Sequence, residues 1–142
     1  MKLVINRCFG GFSLSRAAVK RLAELQGRPC FFFTNGHGDD LETYFPSEDD
    51  PDDRDLFWTA FDIPNPNEVV KDDNDAYELH QLDSRPEDRA DPLLIRVVEE
   101  LCEKADGGRA KLGIVEIPDG VDWEIDEYDG SESVHEKHRS WS

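Results

Sequence analysis

Long apolar runs are missing from this chain. No stretch approaches the twenty or so residues a membrane-crossing helix needs, so a soluble protein with no membrane partner is expected. Basic residues are also scarce, 16 Lys and Arg against 33 Asp and Glu, for a formal net charge of −17. Such a charge opposes unaided binding to nucleic acid or anionic lipid, because a few bases near phosphate are outvoted by the field of the whole surface. No direct nucleic-acid binding is therefore expected. The three cysteines, Cys8, Cys30 and Cys102, lie far apart in apolar segments with no CxxC pair and no leader-like run before them. That usage fits reduced thiols in a cytoplasmic core. Two phosphate motifs fail as well: Gly10-Gly11 lacks a third spaced glycine for a dinucleotide fingerprint, and no Gly-Lys-Ser/Thr completes a P-loop.

What is present is enough for one domain, residues 1–142, with its own core. Charge is distributed unevenly: residues 1–35 sum to +5, residues 36–92 to −15 and residues 93–142 to −7. "KLVINRCF" reads as a strand ending at Gly10-Gly11. A helix follows, with Ser15 as N-cap, Leu14 placed to staple onto Val19, a stripe of Ala18, Leu22 and Leu25, and Gly27 as the stop. "PCFFFT" reads as a buried strand, and Gly36 to Asp55 as a solvated acidic loop. "LFWTAFDI" and "AYELHQLD" are expected to be strands. The second main helix starts at Asp91 as N-cap and Pro92, carries Leu94, Val97, Val98, Leu101, Cys102 and Ala105 on one stripe, and stops at Gly107-Gly108. "AKLGIVEIP" and "VDWEIDEYDG" are expected to pair as a hairpin across Pro118-Asp119-Gly120. Alternation in the last strand puts Val121, Trp123 and Ile125 on one face, with Glu127 next, at a strand end that reaches water. The fold class expected is α/β, with α+β as the alternative: a small mixed sheet, two main helices, and an acidic, partly irregular insertion at 36–92.

The opening "INRCFGGFSLS" and the closing "VEIPDGVDWEIDEYDGSESVHEKHRSW" resemble a family of small proteins encoded by tailed bacteriophages and prophages. The likeness covers about the first twenty-five and last fifty residues and leaves out the acidic middle. It implies a phage origin, an accessory role and residence in the cytoplasm of the infected host. It supplies no activity and no catalytic residue.

Three groups of residues invite a functional reading. At the glycine turn, Gly10, Gly11, Ser13 and Ser15 could aim amides and hydroxyls at an anion near a helix N-terminus, with Asn6 and Arg7 beside them. The plain reading is a strand-to-helix turn that needs glycine for its backbone angles. In the tail, a helix over 133–141 would align Val134, His138 and Trp141 on one face, and His135 and Arg139 on another. With Glu127 and Tyr128 the tail could close over a ligand. His135 and His138 without a clear third ligand do not make a zinc site, so no metal and no cofactor are expected. No Ser-His-Asp or Cys-His arrangement can be argued, and no catalytic residue is assigned. In the acidic middle, Asp49, Asp50, Asp52 and Asp53 with Tyr44 and Trp58 could imitate phosphates to a host protein. The expectation is thus a phage accessory protein acting by binding, directed against a host defence. Its partner is a small anionic or nucleotide-type ligand at the glycine turn; the alternatives are a host protein at the acidic middle, or an enzyme acting on such a nucleotide. A homo-oligomer is compatible with each.

Overall fold

A computed structural model of the chain describes residues 1–35, 44–46, 58–70, 73–108 and 110–136. The elements run β1 (Lys2–Asn6), α1 (Arg16–Leu25), β2 (Phe31–Asn35), β3 (Tyr44–Pro46), β4 (Thr59–Phe61), α2 (Pro66–Val69), α3 (Asn74–His80), β5 (Gln81–Leu82), α4 (Pro92–Leu101), β6 (Leu112–Glu116), β7 (Trp123–Tyr128) and β8 (Ser131–Glu136). A 3-10 turn, Cys102–Ala105, extends α4. The expected combination of helices and sheet is present. All pairings between the named strands are antiparallel, and they fall into three sheets rather than one mixed sheet: β1 with β6, β3-β2-β4-β5, and β7 with β8.

The two main helices are capped as their sequences require. The Ser15 hydroxyl accepts from the Ala18 amide at 3.1 Å, and Asp91 accepts from the Leu93 amide at 2.9 Å with Pro92 at the first helical position. Their apolar stripes meet: Ala18, Val19 and Leu22 from α1 join Leu94, Val97 and Val98 from α4 in the main core. Val4, Phe12 and Leu14 close one side of that core, Phe32, Ala60 and Leu82 the other. Alternation along β2 and β4 turns Phe33 and Phe61 to the opposite side of their sheet, where they build a smaller cluster with Val70, Ile63 and Tyr77. Arg16 is buried in the main core, its guanidinium 5.7 Å from the Phe32 ring and 5.9 Å from Trp58.

Several expectations are corrected. "AYELH" is helical, because Asp73 accepts from the Asp75 and Ala76 amides and starts a turn there; only Gln81–Leu82 extends. β6 does not form a hairpin with β7. It pairs with β1, with Leu3 opposite Val115, while β7 turns back at Asp129-Gly130 to pair with β8. The tail is therefore a strand over Ser131–Glu136 and not a helix from residue 133; His138, Arg139 and Trp141 lie outside the described residues. Cys8 and Cys102 are exposed and so are not core groups, whereas Cys30 is half-buried and packs against the main core. Among the described residues no helix is long and apolar enough to cross a membrane.

Candidate functional site

The glycine turn, with φ +117° at Gly10 and +93° at Gly11, lies in the left-handed region that favours glycine. Its surroundings decide what it can bind. The Gly10 amide donates to the Asp129 carbonyl at 3.0 Å. The neighbouring Gly130 (φ +91°) sits so close that a Cβ built there would lie 2.7 Å from the Gly10 nitrogen and nearer still to that of Gly11. The turn of the β7–β8 hairpin thus occupies the approach that an anion would use.

Asn6 fastens the same junction. Its side chain is fully buried; Nδ2 donates to the carbonyls of Cys8 and Gly130, both at 2.7 Å, and Oδ1 accepts from the amides of Cys8 at 3.2 Å and Lys111 at 2.9 Å. Every donor and both acceptor directions of the amide are engaged within the protein. The Asn6 backbone amide donates to Glu132 Oε1 at 2.8 Å, and Glu132 in turn is gripped by Arg89 at 2.7 and 3.1 Å. Arg89 lies 3.6 Å from the Phe12 ring centroid. Sequence spacing hid Glu132 and Arg89. The one available signal was the Asp129-Gly130 turn, which brings β8 back beside β1.

The remaining residues of the anion reading separate. Ser15 caps α1 and donates its hydroxyl to the Lys104 carbonyl at 2.6 Å, and the Ser13 carbonyl accepts from Gly107 at 2.9 Å. Arg7 is exposed, its guanidinium lying against Gly113 and reaching the Ile114 carbonyl at 3.4 Å. Asn6, Gly10 and Gly11 are together; Ser13 and Ser15 serve α1 and its neighbours. Glu127 is exposed at the end of β7, as its strand position implies, opposite Glu132 in register. His135 is exposed, with Nε2 at 2.9 Å from Ser133 Oγ and 3.3 Å from Asp126 Oδ2. Val134 and His135 project to opposite sides of the strand.

Of the acidic-middle residues, Trp58 is half-buried and stacks edge-on to Phe32 at 5.4 Å, so it is a core residue rather than a free anchor. Tyr44 falls in β3; Asp49, Asp50, Asp52 and Asp53 lie outside the described residues.

Beside the hairpin turn Tyr128, a candidate of the tail, meets a ring that spacing along the chain did not suggest, Phe9. Phe9, 64% exposed, and Tyr128, 74% exposed, meet edge to face with centroids 6.4 Å apart. The signal was an aromatic residue directly before Gly-Gly, and another directly before Asp-Gly. A separate polar cluster joins Asp62 to His80 Nδ1 at 2.8 Å and to Arg28 at 2.9 and 3.1 Å. Burial works to raise the Asp62 carboxyl, but the hydrogen bonds and charges of His80 and Arg28 together outweigh it and hold the group below its ordinary value. Arg28 also borders a small cleft with Val19, Leu22, Gln26 and Asp83. Among the described residues no three His, Cys, Asp or Glu side chains converge as metal ligands. No family model, curated protein or solved structure matches the chain.

Proposed function

We propose that this chain is a phage accessory protein that acts by binding a basic surface of a host protein, in the service of countering a host defence. The phage part rests on the resemblance of the two ends. The choice of partner rests on one observation: the Gly10-Gly11 turn, the place where an anion would sit, is filled by the Asp129-Gly130 turn of an acidic hairpin. Trp123 to Glu136 contains six carboxylates and no Lys or Arg. Bringing a phosphate there would set it among like charges, each pair unfavourable by about 1 kcal/mol or more at contact distance even in water. The net charge of −17 instead favours steering toward a positive surface. The Ser133 hydroxyl meets His135 Nε2 at 2.9 Å on an exposed strand, but Asp126 approaches that same ring nitrogen instead of orienting Nδ1, which is not the arrangement of a catalytic triad, so binding is preferred to catalysis.

Two measurements test this reading. Native mass spectrometry of the protein purified from infected cells should find it without a bound small anion, and its association with the host target should slow steeply as salt is raised. A stoichiometric nucleotide retained by the protein, displaced by Gly11→Val in a folded variant, would overturn the reading and restore the anion site.

A further inference from the structure

We propose that the outward face of the β7–β8 hairpin, together with Phe9, is the docking surface for an arginine-rich segment of the partner protein. This rests on the reading above and names the surface and the chemistry that would carry it. Alternation along β7 sends Trp123 and Ile125 inward, half-buried, and leaves Glu124, Asp126 and Tyr128 exposed on the other side. Same-face side chains repeat about every 7 Å along a strand. Two carboxylates and a ring therefore stand in a row, extended by Phe9 at the Tyr128 edge. Across the register lie His135, Ser133 and Ser131.

Two large rings held in water need a reason, and their edge contact with each other leaves them 64% and 74% exposed. Phe9 and Tyr128 come from distant parts of the sequence, yet the bonds from Gly10 to Asp129 and from Asn6 to Gly130 fix the backbones that carry them. The rings are thus presented on a braced junction, which lowers the ordering cost of binding. Exposed aromatic faces with carboxylates alongside suit guanidinium, which stacks on rings and pairs with carboxylate in a planar fork; ammonium does the second less well. Bases of a single-stranded nucleic acid would also stack, but their phosphates would meet the acidic strands. A second copy of this chain would bring another −17 to the same face.

The test uses the full-length protein and two short synthetic peptides, one alternating arginine and serine, the other with lysine in place of arginine. Amide chemical shifts are followed by NMR at low salt. The arginine peptide should bind more tightly, with shifts concentrated in Cys8 to Gly11 and Glu124 to Tyr128. Replacing both rings, Phe9→Ser with Tyr128→Ser, leaves the charge unchanged and should weaken binding about tenfold. Glu124→Gln with Asp126→Asn should weaken it as well, and the exposed Leu79→Ser on α3 should have no effect. Binding by the folded double-ring variant equal to that of the parent, or shifts confined to other regions, would overturn this surface while leaving a basic partner in place. No binding of either peptide would overturn both.

Discussion

Arg89 and Glu132, 43 residues apart, form a two-pronged ion pair, Nη1 to Oε1 at 2.7 Å and Nη2 to Oε2 at 3.1 Å, with side chains only 13% and 7% exposed. The pair stands where a strand neighbour of β1 would otherwise be. Glu132 accepts the Asn6 amide, the Arg89 carbonyl accepts the Val4 amide at 2.9 Å, and Arg89 covers the Phe12 ring. Glu132→Ala would leave a largely buried guanidinium and a strand amide without their partner, which should cost about 3–5 kcal/mol. The exposed pair of Lys2 with Glu99, at 3.3 Å, should contribute about 1 kcal/mol or less. Urea unfolding of Glu132→Ala and Lys2→Ala measures the contrast. Similar midpoints for the two variants would show that the hairpin is not held by this pair.

Gly130 and Gly27 separate backbone conformation from close approach. Both lie in the left-handed region, at φ +91° and +73°, so alanine at either should cost about 1–2 kcal/mol for the conformation alone. A Cβ at Gly27 meets nothing within 4 Å, whereas at Gly130 it runs into the Gly10 and Gly11 backbone, which cannot swing away like a side chain. Gly130→Ala should therefore be the more destabilising and should free the hairpin from the glycine turn, seen as faster hydrogen exchange at the Gly10 amide. Protection unchanged from the parent in the folded variant would contradict that seat.

The acid limb of stability should carry a contribution from Asp62. Its folded-state pKa is lowered, so its stabilisation is fully present above the unfolded value of about 4 and is lost as pH falls through the lower folded value. Asp62→Asn removes that dependence. The variant should lose stability near neutral pH and show a shallower fall between about pH 4 and the acid end of the titration. Glu100, lowered to about 2 by hydrogen bonds from Arg21 and Arg96, shares the same window and should remain as residual slope. Chemical denaturation at a series of pH values reads this directly; parallel curves for parent and variant would remove Asp62 from the acid response.

How far the sequence disclosed all this depends on the range of the interaction. Ser15, Asp91 and Pro92 announce the helix starts because a cap bonds within three residues. The Phe31 to Phe33 run, too short for a helix, lies in a strand. Strand partners were less legible: β6 has the turn signal for a hairpin with β7, yet its Leu112, Ile114 and Val115 pair beside β1 from more than a hundred residues away. "AYELH" has strand-like alternation, but the local bonds of Asp73 turned it into a helix. At the candidate site, the need for Gly10 and Gly11 to adopt positive φ was readable, and so was their closeness to Asn6. The use of the turn was not, because what fills it is the backbone of Asp129 and Gly130, arriving through tertiary contact.

The two acidic parts of the chain would meet a basic surface at different ranges. Asp49, Asp50, Asp52 and Asp53 supply four of the 33 carboxylates, all within five residues, and add to the field that draws a cation inward from a distance. Changing all four to Asn should slow association with the proposed basic partner and flatten its salt dependence, while dissociation stays near that of the parent. Removing the rings of Phe9 and Tyr128 acts at contact range and should do the reverse, speeding dissociation with little effect on the association rate. Stopped-flow association and dissociation at two salt concentrations distinguish the cases. A quadruple Asn variant whose dissociation accelerates tenfold would place the contact in the acidic middle and leave the hairpin as scaffold.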